Sequence, residues 1–206
     1  MVFAKARARA FAFCPSLVIT DRPCAAAEFA IEHNIPHERV SGPPSATTSD
    51  EILSELQRHE IEFAYVFYSR MLEGALIEQY CGRLINFHPS MLPAHPGLRG
   101  FEDSVSSKSL LIGTTIHVVD AGMDSGTQLL QTVASSRGTK DVASLRHILF
   151  AQQCASLYQI HTWITSGSLT LTPLKFADSI QFILREGFCP AISAGALLLY
   201  EELLSE

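Results

Sequence analysis

The sequence predicts an α/β fold built on a doubly wound, mostly parallel sheet. Three features carry that expectation. Short β-branched or aromatic runs alternate with helical patterns, which places helices on both faces of a sheet. The run Glu62 to Tyr68 is apolar and aromatic nearly throughout, as in a central parallel strand covered on both sides. Arg70, His88 and Asp120 fall at predicted carboxyl ends of strands, where open α/β sheets hold their ligands.

The chain of 206 residues is long enough to bury a core. We expect one domain over 1–206, with a core of about 16–174 and C-terminal helices over 175–206. A hydrophobic share of 47% against 17% charged residues excludes a disordered chain. The net charge of −6 gives no reason to expect nucleic acid or an acidic membrane as partner. No apolar run approaches a membrane span. Five cysteines (Cys14, Cys24, Cys81, Cys154, Cys189) are an odd number without metal-ligand spacing. They read as reduced thiols of a cytoplasmic protein, and no metal is expected. Lys5, Arg7 and Arg9 make the N-terminus basic. Pro15 interrupts its apolar stretch, so a partly helical basic segment is expected ahead of a targeting leader.

Taken in order, Ser16 to Thr20 is a short strand. Thr20 or Asp21 caps a helix over Cys24 to His33, with Pro23 near its first turn and Asn34 at its end. A short extended piece follows near Val40, then a Pro/Ser/Thr loop over Gly42 to Ser49. Thr48 and Glu51 form a capping-box pattern for a helix through Arg58. After the Glu62 to Tyr68 strand, Ser69 to Leu72 turns into a helix over Leu72 to Tyr80. Ala94 to Ser107 is a long loop, helical from Phe101. Thr139 caps a long helix from Asp141 to Thr165, closed by Gly167. Ser168 to Leu174 alternates as a last strand. Two short helices, Asp178 to Arg185 and Ser193 to Leu204, complete the chain.

Leu84 to Gln131 holds the chemistry. Leu84-Ile85-Asn86-Phe87-His88 alternates, so Asn86 and His88 share one side of a strand that Pro89 stops. Gly113 to Val119 is a second β-branched run. It leads into Asp120-Ala121-Gly122-Met123-Asp124-Ser125-Gly126, a loop with two carboxylates. An amide, an imidazole and a carboxylate can together hold a carbonyl and move a proton. Asp124 alone could be a turn carboxylate, His117 is as readily packing as function, His95 reads as solvated, and Asp120 as shaping its loop.

Ile85-Asn86-Phe87-His88-Pro89-Ser90-Met91-Leu92-Pro93, with Gly113-Thr-Thr-Ile-His117, Asp124-Ser-Gly126 and Gln131, resembles the folate-dependent N-formyltransferases. The resemblance runs from about Ser16 to Leu171 and is nearest to the branch that formylates phosphoribosylglycinamide. It implies a Rossmann-like formyltransferase fold, shortened at its N-terminus. It also implies transfer of a formyl group from 10-formyltetrahydrofolate to a primary amine, phosphoribosylglycinamide first, in purine biosynthesis. Such a reaction passes through a tetrahedral intermediate, whose oxyanion needs a donor. The resemblance gives Asn86 that role, makes His88 general acid or oxyanion partner, and sets Asp124 to orient His88. It also implies a folate site from the backbone of Ser69, Arg70, Met71 and Leu72, with Asn86 and the loop Asp120, Ala121, Gly122, Met123 and Asp124. The partner is a small-molecule amine, and the protein a monomer or homodimer. Another amine such as an amino sugar, hydrolysis of the formyl donor, and folate binding without turnover stay open as alternatives.

The chain departs from the family pattern in the acceptor half. Nothing in Met1 to Cys14 resembles the family's opening strand and glycine-rich phosphate loop, so that unit is expected to be absent. An expected Glu-His pair reads Ala151-Gln152-Gln153-Cys154. An arginine expected upstream of the capping box is missing around Thr47 to Asp50.

Overall fold

A computed structural model describes residues 15–42, 45–68, 70–137 and 141–205. The basic N-terminal segment, Ser69 and Thr139 lie outside these residues. The chain divides into two compact units, Met1–Ala64 with Arg70–Cys81, and Tyr65–Ser69 with Gly82–Glu206.

The first unit begins with β1 (Val18–Thr20), α1 (Ala25–Glu32) and β2 (His37–Arg39). β1 and β2 pair in parallel, Val18 opposite His37 and Thr20 opposite Arg39. The connection is a βαβ unit, which parallel strands require. Neither Thr20 nor Asp21 caps α1: Cys24 is the N-cap and makes no side-chain bond. Thr20 Oγ1 instead lies 2.9 Å from His37 Nε2, and Asp21 pairs with Arg22 and Arg70. Asn34 takes φ +53° after the helix, which asparagine tolerates better than most residues.

The next helix, α2 (Ser45–Arg58), starts four residues earlier than the capping-box pattern places it. Thr48 sits inside it and donates to the carbonyls of Ser41 and Gly42, while Glu51 accepts from Ser41 N–H. The two side chains tie the preceding loop to the helix flank. Among the described residues Glu38, Glu55 and His59 bring possible metal ligands together. Arg58 already answers both carboxylates, and its hydrogen bond holds the Glu38 carboxyl below the usual range. A short helix, α3 (Ala75–Gln79), replaces the longer one expected from Leu72.

The second unit carries a five-stranded sheet. Its strands are β3 (Ala64–Val66), β4 (Leu84–His88), β6 (Thr115–Val118), β7 (Gln128–Thr132) and β11 (Phe188–Cys189). Between β4 and β6 the chain forms α4 (Gly100–Ser106) and β5 (Leu111–Ile112), and β5 pairs with β8 (Ala134–Ser135). The sheet order is β11-β7-β6-β4-β3, so among the described residues β3 stands last in this sheet, where a central place was expected. β6 runs antiparallel to both β4 and β7, which therefore share a direction, and β11 reverses again. The α/β class holds, with β6 reversed inside its sheet.

That reversal corrects one expectation. Ile85 pairs with Val118, and Val119 N–H donates to Leu84 O at 2.8 Å. Asp120 therefore leaves the sheet beside the start of β4, at the opposite edge from His88.

The long helix α5 (Val142–Thr165) is capped by Asp141, whose carboxylate accepts from Ser144 N–H at 2.7 Å. It buries Leu145, Leu149, Gln152, Ser156, Gln159 and Trp163, a recurrence at helical spacing. Phe101, Ile112, Leu145 and Leu149 form one apolar cluster. Two side-chain oxygens on the buried face find partners: Gln152 Oε1 accepts from Thr132 Oγ1 at 2.8 Å, and Gln159 Oε1 from Ser193 N–H at 2.6 Å. Burial pushes the Cys154 thiol up to about 12, which makes it an inert core group. The four described cysteines, Cys24, Cys81, Cys154 and Cys189, are free thiols. No helix among the described residues is long and apolar enough to cross a membrane.

The alternating run after α5 folds as a hairpin, β9 (Leu169–Leu171) and β10 (Leu174–Phe176), instead of one strand. Asp178 to Arg185 forms no helix: it holds Phe182, Ile183 and Leu184 exposed. Its apolar residues are consecutive, so they make no helical face. The final helix, α6 (Ala194–Leu204), starts at Ser193 as expected.

Two substitutions test this packing by urea unfolding. Leu149→Ala is expected to lower stability by about 2–5 kcal/mol. A Cβ on Gly126 would lie 1.7 Å from Val118 O. Gly126→Ala is expected to cost about 3 kcal/mol or more, since the loop cannot shift without breaking Val118 N–H to Thr127 O. Unchanged unfolding midpoints would contradict both assignments.

Candidate active site

The site stands on one face of the β4–β6 pair. Alternation puts Asn86 and His88 on the same face of β4. Antiparallel register sets His117 opposite Asn86 and Thr115 opposite His88. Ile85, Phe87, Ile116 and Val118 take the other face into the core. β6 is buried along its whole length, so its polar residues need partners within the protein.

The loop after β6 brings Asp124 back over this face. Asp120 Oδ1 accepts from Gly122 N–H at 3.1 Å and from Ser125 Oγ at 2.9 Å, which closes the loop on itself. Gly126 then packs onto β6, where no side chain fits. Asp124 adopts φ +52° between them. Its carboxylate reaches three groups: Oδ2 lies 3.3 Å from His88 Nδ1 and accepts from Gly97 N–H at 2.6 Å, and Oδ1 lies 3.5 Å from His117 Nε2.

The proton on His88 can be placed by its partners. Nε2 lies 2.9 Å from the carbonyl oxygen of His95. A carbonyl only accepts, so Nε2 carries a hydrogen. Nδ1 then faces the Asp124 carboxylate. The side chain of His88 is 5% exposed and that of Asp124 14%, so water screens this pair poorly. A Cβ on Gly100 would stand 2.6 Å from His88 Nε2, so the ring lies flush against the start of α4.

The turn after β4 is held just as closely. Ser90 Oγ lies 2.7 Å from Ala94 O and 3.0 Å from His95 O. Thr115 Oγ1 donates to Ser90 O at 2.8 Å and accepts from Leu92 N–H at 2.9 Å. Gln131 Nε2 donates to Leu92 O at 2.7 Å. Gln153 on α5 donates from Nε2 to Phe87 O at 3.1 Å, between Asn86 and His88.

Asn86, His88 and Asp124 thus come together as one cluster. Ala121, Gly122 and Met123 form the exposed outer part of the loop, and Asp120 bonds within it. Arg70, Met71 and Leu72 belong to the first unit. There Arg70 Nε lies 3.3 Å from Asp21 Oδ2, Met71 is exposed and Leu72 buried. Ser69 is outside the described residues. His95 contributes its backbone carbonyl to the site, contrary to a purely solvated role. Two further participants are Gly97 and His117. Gly97 acts through a backbone N–H, which no residue pattern displays. His117 sat in a β-branched run that reads equally well as packing.

The chain is similar to known proteins in sequence and in fold. The family model described as Formyl transferase matches residues 7–153. Phosphoribosylglycinamide formyltransferase of Bacillus subtilis is 35% identical over 121 residues, covering 56% of this chain and 62% of the relative. The enzyme of that description from Mycobacterium tuberculosis is 36% identical over 115 residues, 54% of each chain. The chain therefore spans between half and two thirds of the length of these relatives. The crystal structure of phosphoribosylglycinamide formyltransferase from Bacillus halodurans superposes with a TM-score of 0.69 at 29% identity, over 77% of this chain and 87% of that one. A match over most of the sequence, on a fold of the same kind, identifies the chain as a member of the formyl transferase family.

Proposed function

We propose that this chain transfers the formyl group of 10-formyltetrahydrofolate to a primary amine, with phosphoribosylglycinamide as the acceptor, in purine biosynthesis. The observation that carries the reading is the convergence of Asn86, His88 and Asp124 on one sheet face. Membership of the family and the named activities of the relatives support it. Free thiols among the described residues agree with a cytoplasmic protein.

The donor set fits a formyl group. Asn86 offers an amide N–H to the formyl oxygen as negative charge develops there. The folate supplies the one-carbon unit. The amine nitrogen bonds to the formyl carbon, the bond from that carbon to N10 breaks, the amine loses a proton and N10 gains one. His88 and Asp124 form a buried pair and are placed to take up the first and deliver the second. Ala121, Gly122 and Met123 are proposed to face the folate through their backbone. The assignment of Ser69, Arg70, Met71 and Leu72 to the pterin ring rests on the family resemblance. One domain spanning the chain, acting as a monomer or homodimer on a small-molecule amine, completes the reading.

A coupled assay that separates formylated amine from free formate tests the activity. Formylated phosphoribosylglycinamide is the expected product. Formate release without amine would replace the reading by hydrolysis. Asn86→Ala is expected to lower kcat/KM about a hundredfold or more, the effect of losing one oxyanion donor. His88→Ala and Asp124→Asn are expected to be strongly non-additive, the double variant being little slower than the slower single one. Additive losses would mean the two residues do not share a proton path. Calorimetric titration with a stable 10-formyltetrahydrofolate analogue is expected to show saturable binding, weakened in Asn86→Ala/Asp124→Ala. No binding by folded protein would refute the folate site.

A further inference from the structure

His117 is the one buried titratable group of the cluster to which no step is assigned. Its side chain is 3% exposed. Its ring meets three partners. Nδ1 lies 2.9 Å from Val118 O, Nε2 lies 3.2 Å from Asn86 Nδ2, and Nε2 lies 3.5 Å from Asp124 Oδ1.

The hydrogens follow in order from the one partner that has no choice. Val118 O only accepts, so Nδ1 of His117 carries a hydrogen. In the neutral ring Nε2 then holds a lone pair and accepts. The amide end of Asn86 that can donate to it is Nδ2. We propose that His117 is a positioning residue, which accepts from Asn86 as the neutral Nδ1–H tautomer and so fixes which end of that amide is turned toward the reacting carbonyl. With one Nδ2 hydrogen held by His117, the second is left free for substrate. With the amide reversed, Oδ1 would occupy the place of Nδ2, and an oxygen there repels a developing oxyanion.

Burial favours the neutral ring, against the pull of the nearby carboxylates. The groups facing His117 are Asp124, His88 and Asp120, with Asn86 and the Val118 carbonyl. Asp124 reaches both rings, and His88 lies closer to it, at 3.3 Å against 3.5 Å. The two imidazole centroids are 6.5 Å apart, so a second imidazolium would be repelled by the first. Burial, the largest influence, lowers the pKa of His117 below its ordinary value. The carboxylate pulls the other way with less weight. Division of labour follows: His88 handles the proton with Asp124, and His117 stays uncharged to hold an amide.

The inference rests on the formyl-transfer reading for the role of Asn86, and its test has a readout independent of that reading. Long-range proton–nitrogen NMR of the full chain labelled with nitrogen-15 at histidine reports the tautomer of His117 directly. A protonated Nδ1 and a lone pair on Nε2 near neutral pH are expected, with the Nε2 signal shifting in Asn86→Ala. A protonated Nε2, or a signal indifferent to Asn86→Ala, would overturn the proposal. Kinetics then separate positioning from mere packing. His117→Met removes the acceptor while filling the space, and is expected to lower kcat about a hundredfold with KM little changed. His117→Gln places an amide oxygen near the position of Nε2, and is expected to recover kcat to within about tenfold of the unsubstituted chain. A glutamine variant, folded by circular dichroism, that is no faster than the methionine variant would also overturn it. If the unsubstituted chain transfers no formyl group, the functional reading falls, and the NMR result alone decides the Asn86–His117 pairing.

Discussion

Asn86 lies opposite His117 in the β4–β6 ladder, and the rest of the site is built on that register. Side chains alternate along both strands, so one residue of slip would turn Asn86 and His88 into the core and Phe87 toward Asp124. The register is protected by what lies behind it. Ile85, Phe87 and Ile116 are almost fully buried, and a slipped pairing would expose them. It is protected in front by Thr115, whose hydroxyl joins the turn after His88 to the sheet. Core packing and active-site geometry are thus one constraint seen from two faces of a sheet.

A carboxylate held away from water needs partners, and Asp124 has one of each useful kind. Gly97 N–H is a neutral donor that cannot leave without moving the backbone. His88 can carry charge, 3.3 Å from the same carboxylate oxygen. A left-handed backbone at Asp124 is the local cost of this placement, on the order of 1–3 kcal/mol for a residue other than glycine. The loop's own bonds, from Asp120 to Gly122 and Ser125, hold that conformation in place.

Legibility in the sequence followed the range of the interactions. The strand Leu84–His88 was readable to the residue, because alternation and Pro89 are local signals. The α/β class and the helix beginning at Asp141 were readable for the same reason. The direction of β6 was not, since nothing in Thr115–Val118 records which way its neighbours run. That single unknown misplaced Asp120 at the edge of His88, although both do stand at the carboxyl ends of their strands. Thr48 and Glu51 had the spacing of a capping box but served a loop seven to ten residues upstream. The trio Asn86, His88 and Asp124 was legible through motif resemblance, whereas Gly97 N–H and the His95 carbonyl act through backbone and leave no mark in composition.

The spacing of these contacts along the chain bears on how the site comes into being. Thr115 and Gln131 meet across 16 residues, in neighbouring strands of one hairpin. Asn86 and His117 are separated by 31 residues, and Gly97 and Asp124 by 27. Closing longer loops costs more chain entropy, so the β6–β7 hairpin is the nearer event and docking of β4 the later one. On that order the candidate cluster is assembled only when β4 meets β6. A nascent or loosened molecule would carry all of the reactive side chains and none of their arrangement, so competence for chemistry and completion of folding arrive together.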